Sequence, residues 1–224
     1  MRPSRLEVAG FALSFALSGV LLAVYLVAGE ATYASLAAPS GAAVRVNGAV
    51  RILDRTALVQ VHRATLAYVL GESGRLPDAP GTSVSLFDPD ERSHMADVRG
   101  VFAGLRAVLA AALIVLAWRL ARGLRAGTGY LARLARDGAI GAAVLVGVVG
   151  VIAAVAFEPF FMAFHLVFFP QGNFLFDPAS SNLLAVYPEP YWYGVTLRVG
   201  GAFVALAAAV AAAATLALRR LGDR

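Results

Sequence analysis

The sequence contains no cysteine and no lysine. Lack of cysteine removes disulfides, thiol nucleophiles and thiolate metal ligands together, so every folded part must hold by packing. Lack of lysine makes all 19 basic side chains arginine. Charge of either sign is scarce: 15% of the 224 residues are charged, 59% are hydrophobic and the mean hydropathy is +0.73. Soluble domains hold about 45–50% apolar residues, so the composition excludes that class and reads as an integral membrane protein. Also missing are an internal repeat, a P-loop, a dinucleotide fingerprint and any metal-ligand pair of histidines or carboxylates at a recognised spacing, and neither cofactor nor metal is expected.

What is present is a set of long apolar runs. Crossing about 30 Å of hydrocarbon takes about 20 helical residues. Runs 8–29 and 199–218 are uncharged, 139–157 is uncharged up to Glu158 and is expected to continue to His165, and 100–121 is apolar except for Arg106 and Arg119. The expected fold class is therefore all-α, with four transmembrane helices. The first run could alternatively be read as a signal peptide, since "MRPSR" and "ATYASLAAP" resemble an n-region and a cleavage site, but its apolar core exceeds the 7–15 residues of an h-region.

The arginines orient these helices. Arg2 and Arg5 precede the first, Arg119, Arg122, Arg125, Arg133 and Arg136 crowd the link between the second and third, and Arg219, Arg220 and Arg224 close the chain. Positive residues stay cytoplasmic. The link between helices three and four has no arginine before Arg198 and carries Asp177 and Glu189, so it faces out. The expected layout is N-in and C-in: a tail and first helix (1–29), an extracytoplasmic domain (30–98), helix two (99–121), a basic cytoplasmic loop (122–138), helix three (139–165), an outer-leaflet loop (166–197), and helix four with its tail (198–224). The formal net charge of +5 is then a topology signal, and no nucleic acid is expected.

In the outer domain, "AAVRVNGAVRIL" alternates around Asn47-Gly48, a pair suited to a two-residue hairpin turn. Residues 54–70 place Leu58, Val61, Leu66, Val69 and Leu70 near helical spacing, with Gly71 to stop the helix. "GESGRLPDAPGTS" reads as a loop.

Of the three histidines, His62 is expected as a partly exposed residue of the outer-domain helix. His94, before helix two, and His165, ending helix three, arrive at the same membrane interface with Glu91, Asp97 and Glu158 within one or two turns. That pairing reads as a site; the competing reading has each ring capping a helix end or snorkelling. Arg106, inside a helix, costs at least about 2.5 kcal/mol if central, which a partner such as Glu158 would offset. The aromatic crowd from Phe164 through Phe168, Phe169, Phe174, Phe176 and Tyr187 to Tyr193 is an interfacial belt. It also suits a loop that re-enters the membrane edge and walls acyl chains, a path allowed only where protein covers the backbone or a wet cavity meets it.

"FHLVFFPQGNFLFDPASSNLLAVYPEPYW" (164–192), with "ERSHMADVRGVF" (91–102) upstream, resembles the bacterial lipoprotein intramolecular transacylase (Lit) family and its integral membrane relatives. The shared pattern is FH, FF, FDP, then PE followed by aromatics, with HM, one residue, DV and a basic residue before them. The resemblance implies acyl transfer at the outer leaflet of the bacterial plasma membrane. The acyl chain at the second glycerol position of a diacylglyceryl-modified lipoprotein moves to the amine of its N-terminal cysteine, giving a lyso-form lipoprotein. The implied partners are that lipoprotein and membrane lipids. His165 and His94 match the FH and HM histidines; Asp97, Arg99, Asp177, Pro178, Pro188, Glu189, Tyr191 and Trp192 match surrounding positions. Ser181 stands where an acid is expected and Phe174 where a tryptophan is.

An O-to-N acyl shift needs a deprotonated amine, a proton for the departing alkoxide and donors at the oxyanion. Histidine, with an ordinary pKa near 6.5, can take and return that proton. His165 is expected in this role, His94 to orient the ester or share the oxyanion with Arg99 or Arg106, and Asp177 and Glu189 to hold the loop or a histidine tautomer. Two other classes remain at this point: a serine esterase using Ser180 or Ser181, which lack a nucleophile-elbow pattern, and a non-catalytic lipid- or partner-binding membrane protein.

Overall fold

The computed structural model describes residues 2–39 and 41–222; Arg224, one of the orienting arginines, lies outside the described residues. The chain runs α1 (Arg5–Val27), α2 (Glu30–Leu36), β1 (Ala42–Val46), β2 (Ala49–Leu53), α3 (Arg55–Val69), α4 (Pro89–Ala126), α5 (Thr128–Val155), α6 (Phe157–Phe168), α7 (Asn182–Val186) and α8 (Glu189–Gly222). Among the described residues, α1, α4, α5 and α8 are long and apolar enough to cross a membrane. Ile114, Val144, Val148, Val151 and Val155 on these helices are exposed, an outer surface that lipid would solvate.

The contacts divide the chain into two compact units. One comprises Met1–Leu26, Arg106–Val155 and Thr196–Arg224. Its core gathers Phe11, Phe15, Leu134, Ala139, Ala142, Phe203 and Ala207, with small residues on α5 and α8 allowing close helix approach.

The other unit comprises Val27–Leu105 and Ala156–Val195, and it holds all three histidines. β1 and β2 pair antiparallel from Ala42↔Leu53 to Val46↔Ala49. Asn47 (φ 51°) and Gly48 (φ 77°) form the turn, where the left-handed backbone favours just these residue types. Asp54 caps α3 by accepting from the Ala57 amide at 2.8 Å, and Gly71 (φ 80°) follows its end. Tyr33, Val44, Leu58, Leu86, Phe87 and Val186 are central in the core. Asn182 joins three segments: its Oδ1 accepts from the Arg45 amide at 2.7 Å, and its Nδ2 donates to Arg45 O at 2.8 Å and Leu86 O at 2.6 Å.

Four expected boundaries move. The third apolar run is not continuous to His165: α5 ends at Val155, Ala156 leaves helical geometry (φ −134°, ψ 58°), and α6 starts at Phe157. Pro159 explains the break, because a proline ring clashes with the carbonyl four residues earlier, here Val155, yet is tolerated in the first turn of a new helix. The basic segment 122–138 is helical except at Gly127 (φ 102°), since arginine and alanine are good helix formers and the glycine supplies the break. Helices α4 and α8 begin at Pro89 and Glu189, before their apolar stretches, each with acid in its first turn, where the helix dipole favours it.

Candidate active site

His94 lies on the polar first part of α4 and His165 in the last turns of α6. Their ring centroids are 6.0 Å apart with planes 23° from parallel. His94 is 6% exposed. Phe169 and Phe176 stand 4.6 and 5.7 Å from its ring; Phe161 and Phe174 stand 4.3 and 5.0 Å from the His165 ring. The run "FFMAFHLVFF" produces this enclosure: Phe161 lies four residues before His165 on the same face of α6, and Phe169, just past the helix end, closes on both rings.

His165 Nδ1 donates to the Phe161 carbonyl at 2.8 Å. A carbonyl only accepts, so Nδ1 carries the proton in the neutral ring and Nε2 keeps a lone pair. Beside His94, the expected acid Asp97 is bonded by two residues that the sequence did not single out, Gln171 and Asn173. Asp97 Oδ2 accepts from Gln171 Nε2 at 2.7 Å and from Asn173 Nδ2 at 2.6 Å. Because an ionised carboxylate only accepts, the Asn173 amide nitrogen must face Asp97 and its Oδ1 must turn away. Asn173 lies against His94, and its Oδ1 and His94 Nδ1 are both buried without a closed hydrogen bond among the described residues. The signal in the sequence was the polar "QGN" interrupting an aromatic run.

The remaining candidates divide. Asp177 accepts from the Ala179 amide at 3.0 Å and the Ser180 hydroxyl at 3.1 Å, holding the loop; the Ala179 amide keeps its carboxyl below the usual carboxylate range. Arg99 donates to Ser73 O at 3.1 Å and lies 5.0 Å from the Tyr68 ring centroid, so it tethers the loop after α3. Tyr191 is buried against Tyr33 and Tyr187. Trp192 donates to Tyr187 O at 3.2 Å, its ring 6.1 Å from Phe161. Glu158, Glu189 and Arg106 are exposed.

Two residues are placed otherwise than expected. His62 is buried, 3% exposed: it stacks on Tyr33 at 4.2 Å with planes 3° apart, with Nε2 2.9 Å from Ala28 O and Nδ1 3.2 Å from the Tyr187 hydroxyl. The carbonyl requires Nε2–H, so Nδ1 accepts from the tyrosine. Burial pushes the His62 pKa down and that of Tyr187 up. The surface assignment failed because its position on α3 falls on the core face with Leu58 and Val69. Glu91, expected as an acidic partner of the histidines, is 1% exposed and is bonded elsewhere. It accepts from the Ser181 hydroxyl at 2.6 Å, the Leu183 amide at 2.7 Å and the Asp88 amide at 3.0 Å. Ser181 in turn caps α7 through the Leu184 amide. An acid at 181 would set two carboxylates against each other; the serine instead satisfies Glu91. The hydroxyls of Ser180 and Ser181 both donate to carboxylates, which disfavours either as a nucleophile.

A family model described as lipoprotein intramolecular transacylase Lit matches residues 11–192. The fold is similar to that of the solved membrane-integral transacylase Lit from Bacillus cereus, at 14% identity and a TM-score of 0.76, over 98% of each chain. Two variants of that protein, with one histidine replaced by arginine or by alanine, match at TM-scores of 0.72 and 0.73 and identities of 14% and 15%, each over 98% of this chain and over 93% and 96% of theirs. No curated protein sequence matches the chain.

Proposed function

Since the chain belongs to the lipoprotein intramolecular transacylase family and is a multi-pass plasma-membrane protein, we propose that it moves the sn-2 acyl chain of a diacylglyceryl lipoprotein to the N-terminal cysteine amine, at the outer leaflet. The observation that carries this reading is the imidazole pair, with the His165 proton held on Nδ1 by Phe161 O.

His165 Nε2 takes a proton from the substrate ammonium. The freed amine attacks the ester carbonyl carbon; as the tetrahedral intermediate collapses, the carbon–oxygen ester bond breaks and the glycerol alkoxide takes a proton back from the imidazolium. The nitrogen gives up its second proton to the same imidazole, which releases it to water, so the ammonium and ester end as a neutral amide, a hydroxyl and one released proton. No side chain is acylated. Asn173, held by Asp97, offers Oδ1 to His94 Nδ1–H, which turns the His94 Nε2 toward the substrate amine and orients it. The phenylalanine walls exclude water, favouring transfer over hydrolysis, and provide an apolar surface for the migrating chain.

The test is purified protein in lipid with a synthetic diacyl lipopeptide, read by mass spectrometry. The reading requires an isomeric product of unchanged mass whose fragments carry the acyl chain on nitrogen. Release of free fatty acid without N-acyl product would identify an esterase, and no turnover with retained lipopeptide binding would identify a binder.

A further inference from the structure

Within the unit of Met1–Leu26, Arg106–Val155 and Thr196–Arg224, a second polar site stands apart from the proposed chemistry. A cavity of about 140 Å³ is walled by Glu7, Trp118, Arg119, Arg122 and Tyr130 among apolar neighbours. Both guanidinium groups lie over Trp118, at 5.5 Å for Arg119 and 5.1 Å for Arg122. One carboxylate faces these two cations, and its demand is largely met: Glu7 Oε2 accepts from the Ser4 amide at 2.8 Å and the Ser4 hydroxyl at 2.9 Å, and the Tyr130 hydroxyl also donates to Glu7. Arg122 reaches Glu7 only at 4.0 Å.

Arg119 is held in place without an anion. Its Nη1 donates to the Glu7 main-chain oxygen at 3.2 Å. Gly10 leaves the notch that receives the guanidinium, since a Cβ there would overlap Arg119 Nη2. Nε is buried without a partner among the described residues. A fixed, partly desolvated guanidinium beside a second cation and a cavity is an arrangement that an anion would complete; a tetrahedral phosphate suits the guanidinium fork.

The position on α4 tells which phosphate. Residues 107–118 form an uncharged apolar stretch that closes on Trp118, and the arginines come directly after it, the place of lipid head groups at the end of a membrane span. Leu6 and Leu124 nearby in sequence are 84% and 65% exposed, leaving apolar surface for acyl chains. One cation in excess of the carboxylate favours a lipid with net negative charge over a zwitterionic one. We propose that this cavity binds the phosphate of an anionic phospholipid, received by Arg119 Nε–H and the Arg122 guanidinium.

Delipidated protein in detergent, given phosphatidylglycerol, phosphatidylcholine or inorganic phosphate, tests this by thermal unfolding and native mass spectrometry. Phosphatidylglycerol should raise the unfolding midpoint and remain as a one-to-one adduct, while the other two do neither. Arg119→Gln and Arg122→Gln should each weaken its retention by about tenfold, the scale of one charge-assisted hydrogen bond. Equal effects of the two lipids, or unchanged retention in both variants, would overturn the site. Stabilisation by inorganic phosphate alone would overturn the lipid assignment. Should Arg119→Gln not fold, the wild-type lipid comparison and Arg122→Gln still decide.

Discussion

At the residue scale, three imidazoles within one unit have three different surroundings, and their variants should differ in kind. His165→Gln removes the exchangeable proton while keeping size and polarity, so turnover should drop by about 10²- to 10⁴-fold with the folded protein retained, as read by lipopeptide conversion and size exclusion. His94→Gln should impair turnover strongly as well, and Asn173→Leu should lower kcat with little change in KM, because its role is to hold a ring. His62→Gln should act on stability. It loses the Tyr33 stack and disturbs the bonds to Ala28 O and the Tyr187 hydroxyl, a cost of about 1–3 kcal/mol. His62 also makes stability depend on pH. Its folded pKa is lowered by burial, so the unfolded chain binds the proton more readily; stability is unaffected above the unfolded pKa of about 6.5 and falls as pH drops below it. The wild-type unfolding midpoint should therefore decrease from pH 7 to pH 5 more steeply than that of His62→Gln.

At the element scale, short helices and their caps set where the His94 and His165 rings stand. The break at Ala156 ends the continuous α5 and lets α6 run separately, carrying His165 between Phe161 and Phe169. On the other side, buried Glu91 ties the first turns of α4, just upstream of His94, to the N-terminus of α7 through Ser181 and Leu183. Ser181→Ala removes a helix cap and leaves one Glu91 oxygen short of a donor, which should lower stability by about 2 kcal/mol, measured as a lower unfolding midpoint in detergent. The hairpin and α3 were legible in advance because Asn47-Gly48, Asp54 and Gly71 are local signals acting within a few residues. Helices α2 and α7, with seven and five residues, were not, because elements this short are held mainly by packing against distant parts of the chain.

At the scale of the whole molecule, the arginine distribution predicts that the loop before α4 and the loop after α6 face outward and the α4–α5 junction faces the cytoplasm. The absence of cysteine makes single-cysteine labelling clean. Ser83→Cys and Ala179→Cys should react with an impermeant thiol reagent in intact cells, and Thr128→Cys should react only after lysis. The reverse pattern would move the proposed chemistry to the inner leaflet.

Composition and charge placement determined the membrane class and the four apolar spans, because burial in hydrocarbon demands long uncharged runs, and the short motif strings at 91–102 and 164–192 carried the family resemblance. The pairing of His94 with His165 was anticipated, since both flank membrane spans at one interface. Only the tertiary structure decided which nitrogen of His165 is free, that Asp97 accepts a hydrogen bond from Asn173, that Glu91 is a buried brace and that His62 belongs to the core. Each of these depends on which partner a polar group meets across tens of residues of intervening chain, and a buried donor or acceptor is assigned by the geometry of that meeting, which local sequence does not encode.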